Sequence, residues 1–494
     1  MNAHKVGIGL IVLGISGTLL SVLVDLLPTA KAGVQAAQIT GIEIGVVISL
    51  AGFWIALTKT PEKIQARKKI ADFFRRLLNA PLLTWLLLSF LTIYLLFFIA
   101  PVFLNDIHRM RYFTTYLPDR FPIGNDMIDF VNLIKNWFTN GQSPYHIQFY
   151  PPLSYILYAP ALLISDYATL FAIFTSITLV SYFALTFLIP VAVFRMGKAA
   201  IVLIFFLTGL ISYGLQFELE RGQYNVLTFL LCMLSIYIFH YRPAHRIFAY
   251  LLFSLAIQLK LYPAIFILML VDDWRNWKRI ALRFIGIGFF NFILLFAMGY
   301  KAFIEFTSSA LTQLATPGWL WIGNHSIKSF VKGLESGQLG LTNAATLTLI
   351  QQNSERLSTL FLLIIAVCLL LSVWISCLRR EGGVDYYLLL SCTLVALTVP
   401  VSNDYTLSIL AAPMALFFAS LPEIKDSRNK VVSILLIIGI SLSYALVLTP
   451  FKYRPAYLGN AFPPLLVILI FATGMNFIRH FSTKRSMENA VQTQ

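Results

Sequence analysis

Small clusters of polar residues stand out between long apolar runs, and their types suggest what chemistry the chain can do. The segment Gly124 to Leu153, GNDMIDFVNLIKNWFTNGQSPYHIQFYPPL, carries Asp126 and Asp129. A carboxylate there can take a proton from a hydroxyl group as a general base. Short carboxylates beside Gly and Asn can equally cap a helix start, because they accept from its free amides. The run ELERGQYN, Glu218 to Asn225, is a compact polar cluster between two apolar runs that adds Arg221, Gln223 and Asn225, and a charged turn would explain it by itself. Lys260 lies inside an apolar run. Ionisable residues at membrane depth are functional candidates by default, unless an interface is near enough for the side chain to snorkel. A later cluster, GNHSIKSFVKG from Gly323 to Gly333, contributes Asn324, His325 and Lys332. Ser402 to Tyr405 form a tight polar connection that a turn explains by itself.

Other chemistries lack their residues. There is no H-E-x-x-H, no paired-cysteine spacing and no D-x-D, so neither a metal nor a cofactor is expected. Glycine-rich nucleotide loops are absent as well, so a donor of the soluble nucleotide-sugar type is not expected, and a membrane-borne donor fits better.

The elements that must position these groups are helices in a membrane. The chain is 58% hydrophobic and only 12% charged, against about 25% charged in soluble domains. Apolar runs recur from Val6 to Ile478, many approaching the roughly 20 helical residues that cross a hydrocarbon core. Runs such as Leu360 to Leu371 are apolar on every side, which excludes the alternation of a β-barrel. The four cysteines sit in or beside apolar runs and read as packing residues. A net charge of +15 invites a nucleic-acid reading, but the basic residues fall in short blocks between apolar runs, as membrane orientation requires.

Those blocks set a topology. Lys59 to Arg76 places the end of a second helix, Gly41 to Leu57, in the cytoplasm, so that both termini lie inside. A helix from Pro81 to Leu104 then leads to a long extracytoplasmic loop. Crossings follow at Ala168–Phe194, Ala199–Leu215, Gln223–Tyr241, Leu282–Met298, Leu357–Leu378, Tyr386–Pro400, Leu407–Leu421, Val431–Leu448 and Pro463–Ile478, with Pro151–Ile164 only partly inserted. Glu218, Glu220 and Arg221 face outward. Ile247 to Val271 cannot be a single crossing, because Asp272 to Arg283 would fall on the wrong side. A re-entrant hairpin with its tip at Lys260, Leu261, Tyr262 and Pro263 resolves the conflict. The expected organisation is residues 1–80 as two transmembrane helices with a basic linker, 81–480 as a membrane catalytic domain, and 481–494 as a cytoplasmic tail.

An Asp in the first outward loop, then Gly141, Pro144 and Tyr145, then Tyr150, Pro151 and Pro152, then Gly222, Gln223 and Asn225, then Lys260 and Pro263, then Asn324 and Ser326 form an ordered set. That set, spanning Pro81 to Pro413, resembles glycosyltransferase family 87, whose members are GT-C enzymes and include mannosyltransferases that use polyprenyl-phosphate mannose. The resemblance implies an all-α polytopic membrane protein, a GT-C-like bundle of about 12 transmembrane helices with a long extracytoplasmic catalytic loop. It implies an inverting transferase in a bacterial plasma membrane, with its active site extracytoplasmic. The enzyme would move a hexose from a polyprenyl-phosphate donor to a glycan or glycolipid acceptor; a transporter or lipid-glycan flippase is the alternative. By resemblance Asp126 is the base, with Asp129 in reserve. Lys260, Arg221, Gln223, Asn225, Tyr145, Asn324, His325 and Lys332 would hold the donor phosphate and sugar. Where family members often carry a Trp and paired His after a Pro-x-Ser, this sequence has Asn403, Asp404, Tyr405 and Thr406.

Overall fold

The computed structural model describes residues 13, 81–94, 124–145, 150–194, 198–315, 323–339, 343–379, 383–399, 402–421, 427–448 and 460–492. The two N-terminal crossings, the Lys59 to Arg76 block and the outer part of the Pro81–Leu104 helix lie outside these residues. Nearly all described residues belong to one compact unit, Leu82–Leu341 with Leu347–Gln494. Among them every regular element is helical, and the only bridge between extended segments joins Asn324 to Asn403.

Helices long and apolar enough to cross a membrane are Tyr167–Phe194, Ala344–Leu378, Lys430–Leu448 and Phe462–Phe481. They mark the chain as an integral membrane protein. A fifth crossing is available if Ala199–Leu210 and Tyr213–Arg221, bent by 50° against each other, act together. Among the described residues, therefore, four or five helices meet the length and composition of a crossing; the rest of the expected dozen lie outside these residues or fall short of that length or composition, because apolar runs counted in sequence need not be long straight helices. The expected Ala199–Leu215 helix breaks at Ser212, whose hydroxyl accepts from Leu215 N–H and starts a new helix with a polar face. Tyr386–Thr398 and Ala411–Ser420 are shorter than a crossing and are buried along nearly their whole lengths. Apolar on all sides, they form the centre of the bundle rather than lipid-facing walls. The helix Trp277–Leu294 starts and ends earlier than expected, Ala344–Leu378 starts earlier, and Tyr300–Ala315 was not anticipated.

Packing between apolar helices in lipid depends on close van der Waals approach, since lipid tails are as apolar as leucine. Gly439 shows this directly. A Cβ there would collide with the Phe471 ring of the neighbouring helix Phe462–Gln492.

The segment carrying Lys260 turns back on itself. A helix runs from Arg246 to Leu259, Lys260 is extended at φ −150° and ψ 145°, and a 3-10 helix runs back from Tyr262 to Met269. The turn is tighter than expected, because Pro263 fits the first turn of the 3-10 helix instead of breaking it. Fourteen α residues and eight 3-10 residues span about 20 and 16 Å, so the return nearly matches the outward run. The ends meet where Arg246 Nη1 lies 2.7 Å from Asp272 Oδ2. Partial burial opposes the Asp272 charge, but Arg283 and Arg246 outweigh it and hold the carboxyl below its usual range.

Gly439→Ala should lower the thermal unfolding midpoint in detergent, by roughly 1–3 kcal/mol of overpacking. Gly288→Ala, in a helix where a new Cβ meets nothing within 4 Å, should leave the midpoint unchanged or slightly raised. Equal midpoints for the two variants would contradict this packing account.

Candidate functional site

The helix Asn125–Asn140 begins after Gly124, whose N–H donates to Glu220 O at 2.6 Å. That bond ties the start of the amphipathic helix to the end of Tyr213–Arg221. The second helix closes with a Schellman turn, in which Gly222 N–H donates to Leu219 O and Gln223 N–H donates to Glu218 O, at 3.1 and 3.0 Å. Gly222 is needed twice here: its φ is +66°, and a Cβ would lie 2.8 Å from Met127 Cβ. Two elements far apart in sequence are thereby fixed tip to tip.

The consequence is a connected polar chain. Asp126 ion-pairs with Arg221 and accepts from Gln223 Nε2 at 2.7 Å. Gln223 Oε1 in turn accepts from Lys260 Nζ at 2.8 Å. Asp126 is not the helix cap; Gly124 holds that position without a side-chain bond. Asp129, one turn further, is exposed and accepts from Asn125 at 3.3 Å. Partial burial raises its carboxyl above the usual range, Asp126 adds to this, and Arg221 opposes it.

Lys260 is buried, and its ammonium is enclosed by aromatic rings. Tyr224, Tyr405 and Tyr150 lie 4.8, 5.2 and 5.4 Å from it, measured to the ring centroids. Such contacts are worth about 2 kcal/mol or more when desolvated. Snorkelling is therefore not its role here, since the side chain ends among partners. Tyr262 beyond the turn donates to Asn225 O at 2.9 Å. Asn225 is fully buried, and its side-chain amide has no hydrogen-bond partner among the described residues.

The remaining candidates are placed differently. Tyr145 packs against Tyr155 and Phe306 in an aromatic cluster that includes Phe130 and borders Tyr150. His325 is buried with both ring nitrogens engaged, since Nδ1 accepts from Ala461 N–H at 3.1 Å and Nε2 pairs with Asp404 at 2.9 Å. Asn324 Oδ1 accepts from Ser402 and Ser326 N–H, while its carbonyl accepts from Asn460. These two residues knot three loops together. Lys332 is exposed and pairs with Glu335 on its own helix at 3.1 Å, apart from the Lys260 chain. Glu218 and Glu220 are buried.

Sequence reasoning missed the cage tyrosines as a set, together with Glu218 and Ser408. Tyr150 was visible in Tyr-Pro-Pro, but nothing local linked it to Tyr405. A cavity of about 770 Å³ lies elsewhere, lined by His240, Met269, Asp272, Arg379, Tyr387 and Arg479 among others. His240 and Asn225 sit near opposite ends of one 17-residue helix about 25 Å long, so this cavity is at the other end of the bundle from Lys260.

Compared with known proteins, the chain matches the family model of glycosyltransferase family 87 over residues 149–401. That range contains Lys260, Arg221, Gln223, Asn225, Asn324, His325 and Lys332, and begins after Asp126, Asp129 and Tyr145. No curated protein and no solved structure matches it.

Gln223→Leu should leave a buried ammonium without its hydrogen-bond acceptor and Asp126 with one donor fewer. The cost should be about 1–3 kcal/mol or more, read as a lower unfolding midpoint in detergent. An unchanged midpoint would show that the amide does not couple Asp126 to Lys260.

Proposed function

The chain belongs to glycosyltransferase family 87, and from that premise we propose that it transfers a hexose, with mannose the candidate that the family resemblance offers, from a polyprenyl-phosphate donor to an extracytoplasmic glycan or glycolipid. The observation that carries this reading is the chain Asp126–Gln223–Lys260, in which a carboxylate and a buried cation are joined by one amide. A single displacement at an anomeric carbon needs both groups. A base takes the acceptor hydroxyl proton as the new C–O bond forms, and a cation meets the charge that develops on the phosphate as the old C–O bond breaks.

In this reading Asp126 is the base, and the configuration at the anomeric carbon inverts. Its ion pair with Arg221 and the Gln223 amide hold the carboxylate in place until an acceptor hydroxyl replaces one of these donors. Lys260 and Arg221 meet the donor phosphate, and the polyprenyl phosphate leaves with the electron pair. The buried amide of Asn225 and the rings of Tyr150, Tyr224 and Tyr405 suit hydroxyls and a sugar face. Asn324 and His325 hold the loop that presents Tyr405, and so act at one remove from substrate. The membrane-borne donor agrees with an integral membrane enzyme whose polar chain sits at a hairpin tip. We place that tip toward the extracytoplasmic side of a bacterial plasma membrane, with both termini inside and a bundle of about a dozen helices, residues 81–480 forming the catalytic unit.

Asp126→Asn tests the assignment, because Asn keeps the shape but cannot take a proton. Transfer should fall about a hundredfold to ten-thousandfold with donor binding retained, while Asp129→Asn should have a mild effect. A severe loss in Asp129→Asn alone would move the base to that residue. Near wild-type rates in both variants would remove the carboxylate mechanism.

A further inference from the structure

The cavity of about 770 Å³ at the other end of the bundle from Lys260 has no part in the displacement described above. This is the end that the basic blocks direct to the cytoplasm. Tyr387, in the first turn of the helix Tyr386–Thr398, lines the cavity between two guanidinium groups. Arg379 lies 5.1 Å and Arg479 5.5 Å from its ring centroid. The residue is only 2% exposed, yet its hydroxyl makes no hydrogen bond of ordinary geometry among the described residues. Lys198 and Arg275 also line the cavity, so that among the described residues four cations face Asp272, Asp273 and Asp385.

Those carboxylates are engaged already. Asp272 is held by Arg246, Arg283 and Arg279 at 2.7, 3.1 and 3.6 Å. Asp273 accepts from Arg275 N–H at 3.0 Å. Asp385 caps its helix by accepting from Tyr387 and Leu388 N–H, and it also accepts from the Ser376 hydroxyl. Arg379 Nη1 stands 3.5 Å from Asp385, too far for a strong hydrogen bond. Membrane orientation requires only that basic residues flank the crossings. It does not require two guanidinium groups beside a buried hydroxyl in the wall of a cavity.

We propose that this cavity binds a phosphate ester, with Arg379 and Arg479 as charged donors and the Tyr387 hydroxyl as a third. Guanidinium forks match phosphate oxygens in pairs, and such charged bonds are the strong ones. The cavity has room for more than a bare phosphate, and Phe194, Leu268 and Tyr386 give it an apolar wall for the organic part. An anionic lipid headgroup supplies that combination at a membrane surface, and a soluble phosphate ester supplies the same chemistry from water. The proposal is independent of sugar transfer.

The test uses the full chain in detergent with Cys377 as reporter, since this thiol lines the cavity and is exposed while Cys232, Cys368 and Cys392 are buried. Its alkylation by N-ethylmaleimide is timed in mixed micelles with dioleoyl phosphatidylglycerol or with dioleoyl phosphatidylcholine, and separately with glycerol 1-phosphate. Phosphatidylglycerol at ten times its Kd should slow alkylation about tenfold, because only the unoccupied fraction reacts, and phosphatidylcholine should not. Slowing by glycerol 1-phosphate without slowing by phosphatidylglycerol would support the site and assign it to a soluble ester. Slowing by neither, or equal slowing by the two lipids, would overturn the proposal. Arg479→Gln should raise the half-saturating concentration about tenfold to a hundredfold, and Tyr387→Phe about twofold to tenfold, as for a lost charged and a lost neutral hydrogen bond. Unchanged half-saturation in these variants would equally overturn it. Tyr387→Phe removes only the hydroxyl, so it decides the matter alone if Arg479→Gln does not fold.

Discussion

An ammonium group buried among apolar helices is tolerated only if the protein replaces the water it gives up. At Lys260 the replacement consists of one amide oxygen and three tyrosine rings, with the Asp126 carboxylate on the far side of that amide. No single element of the fold could provide these. The amide comes from the turn after Arg221, the rings come from three separate segments, and Asp126 comes from the amphipathic helix nearly a hundred residues upstream of Gln223. The arrangement of the bundle around the hairpin tip follows from bringing these pieces to one point.

Each piece is delivered by a local device with a clear physical cause. The hairpin brings its two ends together at Asp272, which fixes how far the tip can reach. The Schellman turn at Gly222 sends Glu218, Arg221 and Gln223 to neighbouring positions around one short curve. Ser212 bends the preceding helix so that its polar continuation does not run on along the same axis. The knot of Asn324, His325 and Asp404 with Asn460 holds the segment from which Tyr405 and Ser408 reach the site. That knot engages both ring nitrogens of His325, so neither is left over.

The parts legible in sequence are those that depend on composition or on a single misplaced residue. The membrane character follows from the length of the apolar runs, and the turn at Lys260 follows from a lysine in such a run ahead of a basic block on the wrong side. Asp126, Gln223 and Lys260 stand in recognisable local patterns. Their connection does not, because it depends on a backbone bond from Gly124 to Glu220 and on a close approach at Gly222 that no sequence spacing encodes. Tyr386–Thr398 and Ala411–Ser420 are short helices whose apolar composition goes with burial among other helices, a distinction that counting apolar runs does not make. Lys332, a basic residue in a promising cluster, pairs with Glu335 on its own helix, which the sequence does not reveal.

Family membership establishes a glycosyltransferase, while the polar chain at the hairpin tip carries the claim about how it works: the donor is a phosphate ester carried in the membrane, met by a buried cation. The most direct measurement is transfer by purified protein in detergent from a radiolabelled polyprenyl-phosphate hexose to a glycolipid acceptor, compared with the same hexose supplied as a nucleotide sugar. The account predicts label in the acceptor from the polyprenyl-phosphate donor alone. Transfer from the nucleotide sugar, with none from the polyprenyl-phosphate donor, would contradict it.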